Sequence, residues 1–269
     1  MIETGSILKN KDLCEIFKCG SQGGMRRSLR TNSLIIVSDH TRGIYKDRWE
    51  GNILYYTGMG LEGDQSLQYA QNKTLVESSK NGVNVHLFEV FKSAEYIYQG
   101  RAKLARVPFK EKQLDQNKDE RDVWIFPLKL MDQENPSPIP EKDFAKARIT
   151  REKVIRRLSD EELAKRVKLL EKQVSKRQVL GYRYDSSEEI KELAKRKANG
   201  KCMLCRKDAP FSDKDGFPFL EGHHIVGLAE GGPDSEDNVV ALCPNCHRKM
   251  HHLGLEEDKI KLEEKAKRI

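Results

Sequence analysis

The chain has 269 residues, 34% of them charged, a mean hydropathy of -0.71 and a formal net charge of +7. That length favours two domains over one, and the longest apolar runs, such as Leu34-Ile35-Ile36-Val37, fall far short of the ~20 residues a membrane span needs. The basic excess raises the expectation of a polyanionic partner, nucleic acid first, and the opening MIETGSILKN lacks the basic-then-apolar layout of a secretory signal, so the expected location is the cytoplasm.

Through residue 132 the pattern reads mainly as strands with one or two helices. NSLIIVSD (32–39), NILYYTG (52–58), VNVHLFEVF (83–91) and DVWIFPLKL (122–130) are short, β-branched or aromatic, and bounded by turn residues. Val83, Val85 and Leu87 alternate as a half-buried strand requires. EYIYQG and AKLARV could add strands around Gly100, and SLQYAQNKTLVESSKNG (66–82) is the best early helix, stopped at Asn81-Gly82. The mixture predicts a curved sheet or barrel with a helix packed on it. Gly58-Met59-Gly60-Leu61-Glu62-Gly63 matches G-x-G-x-x-G. A dinucleotide turn also needs a helix starting inside the motif and an acid ~20 residues on. Asp64-Gln65 interrupts that helix start and Glu89 stands too far along, so no nucleotide cofactor is expected. Cys14 and Cys19 read as small buried hydrophobes. Gly23-Gly24-Met25-Arg26-Arg27 reads either as a loop that contacts DNA backbone or as a basic turn.

Pro136, Pro138 and Pro140 in ENPSPIPE (134–141) resist both helix and sheet and place a boundary there. From 141 to 180 apolar residues recur at helical spacing, and Ser159-Asp160-Glu161-Glu162 looks like a cap opening a new helix. Residues 141–200 hold 18 Lys and Arg against 11 Asp and Glu, so the excess charge of the chain sits here. The segment is either a solvated connector or an arm along phosphate backbone. SSEEIKELAKRKANG, with a serine cap and acidic first turn, then opens a second unit that ends its first helix on Gly200. The expected division is 1–133, a basic helical linker over 134–185, and 186–269.

Cys202-x-x-Cys205 and Cys243-x-x-Cys246 are separated by 37 residues. Two such knuckles complete a tetrahedral all-sulfur Zn²⁺ site, structural because four thiolates leave no open position. Between and after them lies LEGHHIVGLAEGGPDSEDNVVALCPNCHRKMHH, with five of the seven histidines of the chain. His223 and His224 would point to opposite faces of a strand, and His247 and His251 to one face of a helix. With the sulfurs committed, the histidines are free for a second, catalytic metal.

This stretch resembles the HNH endonucleases, the ββα-metal nucleases, over about residues 195–253. The resemblance implies a metal-dependent phosphodiester hydrolase. In it His224 is the general base, and Asn238 holds the loop and orients the His224 ring. His223, His247 and His251 bind one divalent cation, with His252 the alternative last ligand. The cation would be Mg²⁺, Mn²⁺, Co²⁺ or Ni²⁺. A histidine titrates near neutral pH and can accept the proton of the attacking water. Arg248 and Lys249 beside the site could contact phosphate.

SDHTRGIYKDRWEGNILYYTGMGLEGDQ (38–65) in turn resembles the SRA domain, a PUA-like barrel that flips a modified cytosine from the duplex. The shared elements are an aromatic and acidic loop, a strand ending in Tyr-Thr-Gly-x-Gly, and a following Asp. The resemblance implies a base pocket with Tyr45, Trp49 and Tyr56 as stacking surfaces. Asp47 would be the acid on the cytosine amino group, with His40, Thr57 and the backbone of 40–42 completing the edge. The glycine turn would let backbone lie close to the base, and Arg26 and Arg27 would meet the DNA backbone. The glycine pair of the familiar pattern is replaced by Asp39-His40-Thr41-Arg42-Gly43, so the modification read can differ from plain 5-methylcytosine.

The expected fold is α+β: an SRA-like β-barrel with helices, a helical connector and a C-terminal HNH domain with a four-cysteine zinc site. The expected function is a modification-dependent (type IV-like) restriction endonuclease acting on double-stranded DNA and protecting against phage. The alternatives are an HNH endonuclease directed by sequence or by a backbone modification, and a non-catalytic binder of modified DNA. No membrane partner is expected. The helical segment 141–180 could pair two chains, which makes a homodimer a candidate assembly.

Overall fold

A computed structural model of the chain describes residues 2–41, 47–169, 177–181, 184 and 186–267. The chain divides into two compact units, Met1–Gly181 and Tyr182–Ile269. No helix among the described residues is long and apolar enough to cross a membrane.

The first unit runs through β1 (Ile7–Lys9), α1 (Asn10–Phe17), β2 (Met25–Ser28), β3 (Ser33–Asp39), β4 (Arg48–Glu50) and β5 (Ile53–Thr57). It continues through α2 (Ala70–Val76), α3 (Ser78–Asn81), β6 (Asn84–Lys92), β7 (Glu95–Leu104), β8 (Phe109–Leu114) and β9 (Glu120–Leu130). These nine strands form one sheet in the order β2-β3-β6-β7-β9-β5-β4, with β1 on β7 and β8 on β9. Within it β3 and β6 run parallel, and the neighbouring pairs β2–β3 and β6–β7 run antiparallel. The expected barrel is not closed among the described residues: the path ends on strands of four and three residues, which offer little backbone for a closing ladder.

Leu34 and Ile36 of β3 join a core with Leu54, Leu75, Leu87 and Phe126, while Ile35 and Val37 face Leu13, Phe17, Phe88 and Tyr98. The strand is buried on both faces, which is why it reads as a continuous apolar run. Val83, Val85 and Leu87 all lie in the first of these clusters, and Phe88 and Val90 in the second. The register shifts between Leu87 and Phe88, opposite Gly100 at φ +100°. EYIYQG and AKLARV are therefore one strand with a bulge rather than two. A Cβ at Gly100 would lie 3.2 Å from both Thr4 Cγ2 and Asp132 Oδ2, so glycine holds the kink.

After β9 come β10 (Ile139–Pro140), α4 (Glu141–Ile155), α5 (Asp160–Lys168) and β11 (Val179–Leu180). Ser159 caps α5, its Oγ accepting from the Glu162 N–H at 3.2 Å. Phe144 and Ala147 of α4 pack on Phe91 and Ile97, whereas Ile149, Val154, Ile155 and Val167 are exposed. β11 returns to pair in parallel with β10.

The second unit comprises α6 (Glu188–Ala198), β12 (Glu221–His224), a 3₁₀ turn at Leu228–Glu230, β13 (Val239–Leu242), α7 (Pro244–Leu253) and α8 (Glu256–Lys267). The Ser187 cap of α6 accepts from the Ile190 N–H at 3.3 Å. β12 and β13 pair antiparallel, with His223 opposite Val240 and His224 opposite Val239. Their inner residues pack with Cys202, Met250, Leu262 and Ala266, so α8, which no sequence pattern announces, completes this small core.

Candidate nuclease site and base pocket

Alternation along β12 sorts the two adjacent histidines. His223 is buried against His247 and His251, which stand one turn apart on α7. Cys243 occupies the N-cap of α7 and Pro244 its first position, where a missing N–H costs nothing. The three ring centroids lie 4.6 to 5.1 Å apart, and the Nε2 atoms of His247 and His251 are separated by 3.0 Å.

Burial, and then the neighbouring imidazoles of His247, His251 and His224, lower the pKa of His223 to about 4. Burial lowers that of His251 as well, followed by His247 and Arg248. His223 is thus neutral at pH 7 and offers a lone pair. Glu221 Oε2 accepts from His247 Nδ1 at 2.6 Å. A carboxylate only accepts, so the His247 proton sits on Nδ1 and its Nε2 lone pair faces inward. His251 Nε2, 3.0 Å from this lone pair, either donates a hydrogen to it or, as a second acceptor, shares a cation with it. Three ligand nitrogens within 4.8 Å of one another fit a cation bound at roughly 2.1 Å. His252 is exposed and outside this triad, so His251 is the one of the pair that the fold brings in.

His224 looks the other way. Its Nε2 meets Asp234 Oδ1 at 2.9 Å. The backbone N–H of Ser187, and then His224, hold the Asp234 carboxyl below the usual range. Asn238 Oδ1 accepts from Val226 N at 2.9 Å, and its Nδ2 donates to Val226 O at 2.9 Å and Pro233 O at 2.8 Å. Asn238 therefore staples the loop between β12 and β13. The hydrogen-bond partner of the His224 ring is Asp234, so Asn238 acts on the loop rather than on the ring directly. The loop folds tightly enough that a Cβ on Gly232 would sit 2.1 Å from Val226 O. Arg248 is exposed, whereas Lys249 is paired with Asp258 at 2.5 Å.

Each of the four knuckle cysteines offers a sulfur within 4.8 Å of the others, and Cys205 and Cys243 Sγ are 4.0 Å apart. Bonds of ~2.3 Å would place tetrahedral sulfurs at about this separation. Burial pushes the Cys202 thiol up, but the N–H groups of Cys243, Cys205 and Leu204 outweigh it and bring the pKa to about 7. Burial raises Cys243 and Cys246. One ready thiolate beside thiols that resist ionising together fits a set completed by a cation.

In the first unit Asp47 accepts from Ser38 Oγ at 2.7 Å and from the Thr57 N–H at 2.9 Å. Burial nonetheless raises its pKa, against the opposing pull of those two bonds. His40 stacks on Phe91, with centroids 4.3 Å apart, and its Nε2 meets Glu89 Oε1 at 2.9 Å. Glu89 also accepts from Trp49 Nε1 at 2.9 Å and from Arg177, whose guanidinium lies over the Trp49 ring. Trp49, Tyr56 and Thr57 are buried: the two rings expected as stacking surfaces belong to the core, because both face inward with Leu54 and Phe126. Tyr45 lies outside the described residues. Arg26, expected at the DNA backbone, is buried and donates to Gly23 O, Asn10 Oδ1 and Tyr96 OH. Arg27 donates to Ser33 O and Asn32 Oδ1. The carbonyls of the glycine loop are likewise satisfied from within, Gly58 O by Gln65 and Gly60 O by Arg121.

Sequence reasoning missed Glu221, Asp234, Glu89 and Arg177. Glu221 lies two residues before His223 and so on the same strand face, a signal that alternation carries. Asp234 and Arg177 have no such signal, since they meet their partners only after a turn or a long return of the chain.

The ScoMcrA-like SRA domain family matches residues 4–150 and the HNH endonuclease family residues 202–253. The Type IV methyl-directed restriction enzyme EcoKMcrA of Escherichia coli (strain K12) is 49% identical over 63 residues, 23% of each chain. Anaredoxin of Nostoc sp. (strain PCC 7120 / SAG 25.82 / UTEX 2576) is 43% identical over 37 residues, 14% of this chain and 49% of that one. The chain therefore spans less than half the length of these relatives. Among solved structures, the Type IV phosphorothioation-dependent restriction endonuclease ScoMcrA aligns at 18% identity and a TM-score of 0.41, over 100% of this chain and 63% of the other. The modification-dependent TagI restriction endonuclease aligns at 20% identity and a TM-score of 0.39, over 93% and 78%. With a match across more than half its length, the chain belongs to the ScoMcrA-like SRA domain family and carries an HNH endonuclease domain C-terminal to it.

Proposed function

We propose that the protein is a modification-dependent DNA restriction endonuclease. The observation that carries the reading is the back-to-back pair on β12: His223 converges with His247 and His251, while His224 faces away with Asp234. In this reading His224 takes the proton of the attacking water, and Asn238 holds the loop that follows it and carries Asp234. His223, His247 and His251 would hold Mg²⁺, Mn²⁺, Co²⁺ or Ni²⁺, neutral nitrogens favouring the transition metals. Such an ion neutralises charge on the scissile phosphate and the leaving oxygen. Arg248, exposed beside the site, contacts phosphate. Cys202, Cys205, Cys243 and Cys246 would hold a structural Zn²⁺. The whole acts in the cytoplasm on double-stranded DNA.

Residues 1–133 serve as the reader, 186–269 as the nuclease, and 134–185 as the link. The reader flips a cytosine carrying a 5-methyl or 5-hydroxymethyl group, with Asp47 toward the amino group and His40 and Thr57 at the pocket wall. Digestion of matched plasmids tests this: unmodified, 5-methylcytosine, 5-hydroxymethylcytosine and phosphorothioate-containing, each with and without Mn²⁺. Cutting confined to a cytosine modification and dependent on the metal is expected. Equal cutting of all four removes the reader claim, and cutting of the phosphorothioate plasmid alone moves recognition to the backbone.

A further inference from the structure

The contact between His224 and Asp234 has a partner on each side. Asp234 Oδ1 meets His224 Nε2 at 2.9 Å, and Asp234 Oδ2 accepts from the backbone N–H of Ser187 at 2.7 Å. Ser187 is the N-cap of α6, its own Oγ fixed on the Ile190 N–H. The N–H that holds Oδ2 therefore belongs to rigid backbone and cannot rotate away. A carboxylate offers acceptors only, so the His224 nitrogen facing it must carry the hydrogen. The other nitrogen, Nδ1, is then left with the lone pair.

We propose that Asp234 is a positioning residue for strand cleavage: clamped by Ser187, it fixes His224 as the Nε2–H tautomer and presents Nδ1 as the proton acceptor for the attacking water. This rests on the reading of His224 as the general base. The nearest groups on this carboxylate are the ones that decide the outcome. Because the Ser187 N–H is an immovable donor, an amide at position 234 turns its oxygen toward Ser187 and its NH₂ toward His224. The amide then donates to Nε2, the ring hydrogen moves to Nδ1, and the lone pair is lost from the nitrogen opposite Asp234. An isosteric change of one atom is thus expected to switch off the base without disturbing the fold.

The experiment uses the full chain and whichever of the plasmids above is cut fastest, with Mn²⁺. Asp234→Asn is expected to lower kcat at least ~100-fold, the size of a lost proton-transfer contribution, while KM for DNA and the melting temperature stay unchanged. Long-range ¹H–¹⁵N correlation spectra are expected to show His224 as Nε2–H in the wild type and Nδ1–H in the variant. In a His224→Ala background, Asp234→Asn is expected to add no further loss. Cleavage by Asp234→Asn within about threefold of wild type, an unchanged tautomer, or a full additional loss in the His224→Ala background each overturns the proposal. Wild-type cleavage by His224→Ala alone overturns the base assignment itself, a separate result from any of these.

Discussion

Glu89 is a fully buried carboxylate in contact with three donors, His40, Trp49 and Arg177. Burial alone would raise its pKa, but the His40 bond and the Arg177 charge more than offset this and hold it below the usual carboxylate range. The ionised form is therefore favoured in the folded state. The stability that Glu89 contributes is present at neutral pH and lost on acidification below about pH 4. Replacement by Gln leaves the Arg177 guanidinium buried without a counter-charge, which is expected to cost about 3–5 kcal/mol. Thermal melts between pH 7 and pH 3 check both points: Glu89→Gln should melt lower at neutral pH and show a flatter acid limb. At this scale the sequence was informative where chemistry is local. His223, His224, His247 and the four cysteines stand out because their spacing alone places them on one strand, one helix face or one knuckle. Trp49 and Tyr56 are not legible in this way, because an aromatic residue in a strand looks the same whether its ring faces a ligand or a core, and here both face the core.

Among the elements, α7 ties the two side-chain clusters of the second unit together. Its N-cap is Cys243, its first turn holds Cys246, and His247 and His251 follow on the same helix. Whatever fixes the cysteine end also fixes the helix that delivers two of the three clustered imidazoles. Stripping the metal expected at the knuckles should loosen α7 and the small core around Val240 and Leu262. Circular dichroism at 222 nm, followed during titration with a chelator, should show helix loss. Cys205→Ser is expected to show the same loss without chelator, and retention of full helicity in both cases would make the cysteines dispensable. Elements were more legible than their joints. β3, β5, β6 and β9 fall where short β-branched runs predict them, and Ser159 and Ser187 cap helices as their neighbours imply. The bulge at Gly100 looks like a break between strands in the sequence, because a glycine at φ +100° leaves a sequence trace like that of a turn.

At the scale of the whole molecule, the SRA family match ends at residue 150 while the compact first unit continues to Gly181. The difference is physical. β11 pairs with β10, and Arg177 comes back to the buried Glu89. No local pattern announces this return, since it joins residues 88 positions apart in the chain. It follows that the first unit has no clean cut site where its family resemblance stops. A recombinant fragment ending at residue 150 would expose the underside of Trp49 and leave Glu89 facing no arginine, whereas one ending at 181 keeps both satisfied. The longer fragment is expected to express in soluble form and melt cooperatively, and the shorter to aggregate. Equal melting of the two by differential scanning fluorimetry would count against this. The chain beyond residue 150, which looks like mere tether, would then set how this protein can be dissected, recombined with other domains or trimmed for crystallisation.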